Sequence, residues 1–275
     1  MSILENKVSA LKKILEDAIS NDGHKGKESA IRSSSLINLI HEAIKESLIN
    51  EGVFPENIKP GVDETKPEMK IAGEFKEKKQ DICVVPKLIA PKSREVDWGL
   101  LVGCGKTDLY GKEFLERTLV INVRSQLSSL AKNRDTLIER TISEAINLHS
   151  SYNKMVLGEV YLIPVYEYDH EISKQKRIEF ISKKSDIEYY IRVFNNINNR
   201  KDINEQLHIY ERCALIIVDF SHPEPKIYKN NSELILDGLI GKDFDINYEE
   251  ITFENFTKDL LNVYAERFDI ENIKE

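Results

Sequence analysis

Three places in this sequence have the residue types and spacing for chemistry on a phosphate. The first is Asp81, at the head of the run Asp81-Ile-Cys-Val-Val. An acid opening a buried strand is costly unless it is paired, hydrogen-bonded or metal-bound, so Asp81 signals more than a strand-end turn. The second lies within Thr118 to His149, TLVINVRSQLSSLAKNRDTLIERTISEAINLH. Leu119, Ile121 and Val123 alternate there with Val120, Asn122 and Arg124, the period of two of a strand, which puts Asn122 and Arg124 on one face. The third is the polar stretch that follows, with Ser125, Gln126, Lys132, Asn133 and Arg134, then Glu139 and Arg140. From Arg134 to His149 the pattern predicts a helix whose apolar stripe is Ile138, Ile142, Ala145 and Ile146, with Arg140 and Glu144 as a flanking i, i+4 pair. An acid on one strand, a polar residue and a cation on another, and a basic, amide-rich loop together suit gripping and attacking a phosphodiester.

The elements that must position these groups are partly legible. Residues 5–20 repeat apolar positions at Val8, Leu11, Ile14, Leu15 and Ile19, an amphipathic helix that Asn21-Asp22-Gly23 should end. A second helix is expected from Ser29 to Asn50. In it His41-Glu42 invites a metalloprotease reading, but the second histidine of HExxH falls on Lys45, so that reading fails. Glu42 sits beside the apolar face, either as a solvated flank or as a carboxylate aimed at a cleft. Lys70 to Val85 reads as a hairpin with a charged tip at Glu77-Lys78-Lys79, and Trp98 to Val102 as a short strand. Gly105-Lys106-Thr107 suggests a phosphate loop, yet the glycine that GxxxxGK[ST] needs is replaced by Leu100. Met155 to Tyr168 is strand-like, and its Pro164 implies an edge or a bulge. Glu211 to Phe220 is a short continuous apolar run, as in a buried strand, and Phe253 to Phe268 is an amphipathic helix. Together these give an α/β protein: helices first over 1–54, then a mixed sheet flanked by helices over 55–275, in all a single domain.

Composition sets outer bounds. At 275 residues, 41% hydrophobic and 31% charged, the chain has what a globular core requires. Apolar runs fall well short of the roughly 20 residues that span a bilayer, and no apolar signal region follows the first charges, so a cytoplasmic protein is expected. Cys83, Cys104 and Cys213 are isolated, which argues against zinc and against a disulfide framework. A net charge of −8 lowers non-specific affinity for nucleic acid but does not exclude a local basic cleft.

The run N-V-R-S-Q-L-S-S-L-A-K-N followed by R-x-x-x-E-A at Arg140 to Ala145 resembles the Glu-x-Lys-Ser-Gln…Lys-Asn…Arg-x-x-Glu-Ala run of XhoI-like type II restriction endonucleases. The resemblance implies the PD-(D/E)xK nuclease core, Mg²⁺ as cofactor, and hydrolysis of double-stranded DNA at a short sequence by a prokaryotic homodimer. It assigns Asp81 as the first metal carboxylate and Glu42 as the helical glutamate that often precedes it. Asn122 and Arg124 stand where the family has its acid and lysine. Asparagine leaves the site one carboxylate short, and arginine keeps the positive charge without being able to release a proton. In the branch cutting around CCGG the second acid comes from the following helix, and Glu139 fits that relocation as the second metal ligand. Lys76 or Lys78 are alternative cations, and Asp63 with Glu74-Phe75-Lys76 is an alternative core. Ser125, Gln126, Lys132, Asn133, Arg134 and Arg140 are the expected DNA contacts, amides and guanidinium groups suiting base edges and lysine suiting phosphate. Competing expectations are a non-restriction nuclease of the same fold, an inactive sequence-specific DNA-binding protein, and an acidic scaffold.

Overall fold

The structure is a computed structural model that describes residues 1–274. The chain opens with α1 (Ile3–Arg32), whose Ser2 and Glu5 form a reciprocal capping box. At Gly23 the backbone turns to φ 62°, a conformation glycine adopts without strain, and the helix bends there and continues. The break expected at Asn21-Asp22-Gly23 is therefore a kink. The true turn is at Ser33, ahead of α2 (Ser34–Asn50).

The sheet elements are short at first: β1 (Ile58–Lys59), β2 (Lys70–Ala72), β3 (Glu77–Lys79) and β4 (Ile82–Val84). An excursion holds β5 (Arg94–Glu95), β6 (Thr107–Asp108) and α3 (Lys112–Glu116). Trp98 to Val102 is not a strand; Gly99–Leu101 form one helical turn. Then come β7 (Leu119–Ser125), α4 (Leu130–His149), β8 (Val156–Pro164), α5 (His170–Lys174) and α6 (Ile187–Asn196). β9 (Arg212–Asp219), β10 (Lys226–Ile227), α7 (Asn231–Leu236) and α8 (Phe256–Arg267) complete the chain.

Six strands make one mixed sheet in the order β1-β4-β7-β8-β9-β10. β4 runs antiparallel to β7, β8 is parallel to β7 through the α4 crossover, and β9 is parallel to β8. Pro164 ends the central strand β8 and is neither at a sheet edge nor at a bulge, so its missing N–H costs no interior ladder bond. The alternation in β7 is as read. Leu119, Ile121 and Val123 pack with α1, α2 and α8, while Val120 packs with Ala145 and Leu148 of α4 on the other face. Both faces are covered, so the strands are apolar almost throughout, and any polar side chain on them must be satisfied by its neighbours. The two N-terminal helices share the core of the sheet face on which they lie. Among the described residues no helix is long and apolar enough to cross a membrane.

The charged hairpin differs from expectation. β2 pairs with β3, so Glu77-Lys78-Lys79 are strand residues and the turn is Gly73 to Lys76. Asn147 of α4 accepts from the N–H groups of Phe75 and Lys76 at 2.9 and 3.2 Å, and the Tyr152 hydroxyl donates to Ala72 O at 2.8 Å. A β-carbon at Gly73 would lie 2.3 Å from the Asn147 amide nitrogen, so only glycine permits this docking.

Candidate functional site

The site lies where β4, β7 and β8 run side by side. Asn122 of β7 is in register with Glu159 of β8, so the two project from the same face. Asp81 immediately precedes β4, which pairs with β7 up to Ile82–Ile121. The Asp81 carboxylate accepts from the Val123 N–H at 2.8 Å through Oδ2, which gives it a strand-end capping role. Its Oδ1 makes no hydrogen bond among the described residues.

Asn122 is fully buried. Its Oδ1 accepts from Lys78 Nζ at 3.3 Å, and its Nδ2 has no partner among the described residues. Arg124 does not reach outward as a free phosphate cation. Its Nε donates to Glu159 Oε1 at 2.7 Å. Glu159 is itself wholly buried, and its Oε2 has no hydrogen-bond partner among the described residues. Burial pushes the Glu159 carboxyl above the usual carboxylate range, with the Arg124 guanidinium and Lys78 pulling against it. Burial also works against the charge on Arg124, but Glu159, with Tyr210 and Asp81, together overcome it and hold the guanidinium above its ordinary pKa.

Glu139, the expected second metal ligand, is exposed on the outer side of α4 and contributes nothing to this site. The acid that α4 does deliver is Glu144, with a side chain only 1% exposed. It pairs with Lys78 at 3.3 Å and Lys76 at 3.5 Å, and accepts from Gln80 at 3.4 Å. The expected pair with Arg140 is absent, because Arg140 is exposed while Glu144 points inward at the hairpin.

Glu42 does not face Asp81. Its two oxygens accept from Lys45 Nζ at 2.7 Å and the Asp63 N–H at 2.8 Å. The reason is Lys45, buried three residues on, which requires a counter-charge and also donates to Gly61 O and Glu64 O. The α2 residue on the Asp81 side is His41, and the two line a cleft of about 270 Å³ with Glu64, Lys66 and Glu68. Burial holds the His41 imidazole below its usual pKa. Among the described residues no hydrogen bond or ion pair joins Asp63 to Glu74 or Lys76, so that alternative core is not assembled.

The expected DNA contacts divide sharply. Gln126 is buried, and its Oε1 accepts from the hydroxyls of Tyr161 and Tyr190, both at 3.0 Å. Its Nε2 donates to Ser129 O and Leu130 O, so nothing is left to read a base. Gln126→Ala is expected to cost about 2–3 kcal/mol of stability in urea unfolding, from the orphaned tyrosine hydroxyls. The start of α4 is closed in the same way. Glu167 accepts from the N–H groups of Ser129 and Leu130 at 2.5 and 3.2 Å, occupying the helix end where a phosphate would bind. Arg134 stacks 4.1 Å over the Tyr189 ring and pairs with Asp135 and Asp186. Lys132, Asn133 and Arg140 are exposed, and Ser125 is half-buried at the end of β7.

Comparison with protein-family models, curated protein sequences and solved structures returns no match.

Glu159 is the functional candidate that sequence reasoning missed. It sits in Val-Leu-Gly-Glu159-Val-Tyr-Leu-Ile, and the signal was the one used for Asp81, an acid inside an apolar strand run.

Proposed function

We propose that the chain is a Mg²⁺-dependent endonuclease acting on double-stranded DNA, a type II restriction endonuclease working as a homodimer on a near-palindromic site. The observation that carries this reading is the in-register pair Asn122–Glu159, with Asp81 bonded to the neighbouring Val123 N–H and cations at Lys78 and Arg124. It supplies an acid beside the Asn122-x-Arg124 pair, and a second acid from the adjacent strand where the motif itself has none.

Mg²⁺ is held through one or two carboxylates, with water and substrate phosphate completing its shell. Asp81 and Glu159 each keep one oxygen without a protein donor. No three His, Cys, Asp or Glu side chains converge among the described residues. Asp81 and Glu159 would hold the ion, and Glu139 would not. When bound, Mg²⁺ polarises the scissile phosphate and lowers the pKa of a bound water. The chain's own residues do the rest. Arg124 balances the buried Glu159 charge, so the site is not doubly anionic when a phosphate approaches. Asn122 is neutral, which spares the site a third carboxylate. Lys132, Asn133 and Arg140, exposed on α4, and Ser125 at the end of β7 would meet the sugar-phosphate backbone.

The test is digestion of a plasmid-plus-phage DNA mixture with Mg²⁺, comparing the wild type with Asp81→Asn. That substitution keeps an oxygen for the Val123 N–H while removing the charge. Discrete bands are expected from the wild type, with the variant slower by at least about 10²-fold. Bands that persist unchanged in the variant sink the assignment of Asp81 and leave the activity standing. A second reading, an inactive sequence-specific DNA-binding protein, is favoured by Asn122 in the acid's place and by the engagement of Arg124 with Glu159. No cutting with several divalent metals, together with a band shift in Ca²⁺, would decide for it.

A further inference from the structure

We propose that Lys78 is the phosphate cation of this site and that Glu144 of α4 is its positioning residue. The inference rests on the nuclease reading and changes which side chain meets the substrate. The motif's own cation is anchored from behind: the Arg124 Nε donates to the buried Glu159, and its side chain is only 19% exposed. Lys78 arrives from a different element. It extends from β3, a strand outside the six-stranded sheet, and places Nζ 3.3 Å from Asn122 Oδ1. Its side chain remains 26% exposed, so the ammonium touches both the buried Asn122 and solvent.

Holding a lysine there requires structure, because a four-carbon stem has many rotamers. Three features of α4 and its C-terminal turn supply it. Asn147 fixes the Gly73–Lys76 turn, Tyr152 fixes β2, and Glu144 accepts Lys78 directly at 3.3 Å. Gln80 donates to the other Glu144 oxygen at 3.4 Å, which leaves Oε2 to the lysines. Glu144 and Asn147 are three residues apart on one helix face, so the same face locks both the hairpin and its cation. A lysine suits this place as a compact charge with three donors: one can go to Asn122, one to Glu144, and one to a phosphate oxygen.

The experiment compares Lys78→Met, Lys78→Arg and Glu144→Gln with the wild type on a cleavable duplex. Single-turnover cleavage is measured in Mg²⁺, and affinity against salt concentration is measured in EDTA. Lys78→Met keeps the apolar stem and removes the charge. It is expected to slow cleavage by about 10²–10³-fold and to lower the slope of log K against log salt by about one phosphate contact. Lys78→Arg should restore the slope and part of the rate. Glu144→Gln keeps the shape, and should slow cleavage by about 10-fold while leaving the slope in place, as expected of a group acting through Lys78. A Lys78→Met protein that cuts at the wild-type rate overturns the inference and leaves the nuclease reading intact. A slower rate with an unchanged slope overturns it too, because the lysine would then serve only the fold. A wild-type chain that binds but never cuts refutes the nuclease reading, and the slope in EDTA still decides for or against Lys78.

Discussion

Glu211→Gln is expected to destabilise the fold by about 3–5 kcal/mol, the cost of breaking a buried ion network from one side. Glu211 is wholly buried at the entrance to β9. One oxygen accepts from the Leu157 N–H at 2.7 Å and faces His149 Nε2 at 3.3 Å. The other lies 3.2 Å from Arg200 and 2.8 Å from Arg267. Burial alone would raise its pKa, but His149, Arg267 and Arg200 overcome that and hold the carboxyl at about 2. The folded value is thus depressed from an unfolded value near 4.5, so the contribution is complete above about pH 4.5 and is lost as pH falls toward 2. Its size is on the order of 3 kcal/mol. Urea melts should therefore show a wild-type advantage that is constant around neutral pH and narrows below about pH 4.5. An advantage that does not narrow in acid would remove the carboxylate from the account. The network bears on the site because His149 ends α4, and α4 presents Glu144 and Asn147 to the hairpin.

Sequence patterning read some of this well, and its failures share a cause. β7 was legible because strict alternation over Leu119 to Arg124 fixes which residues share a face, whatever covers them. Asp81 stood out because an acid heading an apolar strand requires an explanation. α4 is a helix as expected, but apolar periodicity finds only faces that pack on apolar partners. Ile138, Ile142 and Ile146 are only half-buried, while Thr141, Glu144 and Asn147 are buried. That face meets a charged hairpin, so its signature is polar and three-spaced. Glu139 is expected from its spacing after Arg124, and spacing alone does not say that Glu139 is exposed while Glu144 is buried. Gln126 and Arg124 looked free because each partner lies far along the chain on another element: Tyr161 and Tyr190, and Glu159. No local pattern encodes such partnerships. The mixed sheet was foreseeable from the order of its elements, but the hairpin's departure from it was not. Lys70 to Val85 reads as one hairpin with its tip at Glu77-Lys78-Lys79, whereas the turn at Gly73 is set by the approach of Asn147.

Arg124→Met is expected to cost about 3–5 kcal/mol, because it leaves the wholly buried Glu159 without its counter-charge. Glu159→Leu alone should cost a similar amount, by stranding a guanidinium that can neither lose its proton nor reach water easily. The double variant Arg124→Met/Glu159→Leu removes both desolvated charges and replaces them with apolar groups of similar bulk. It should return to within about 1–2 kcal/mol of the wild type, so the cycle yields a coupling of several kcal/mol. Urea unfolding of the four proteins measures this directly. Cleavage of the same four proteins then separates two roles that the ion pair alone leaves entangled. If Glu159 is one of the two carboxylates of the reaction, the refolded double variant is stable and inactive. If the pair serves only the sheet, the double variant cuts as the wild type does, and the second acid must be sought outside β8. Stability and activity move together in each single variant and part only in the double one, which is why the double variant decides.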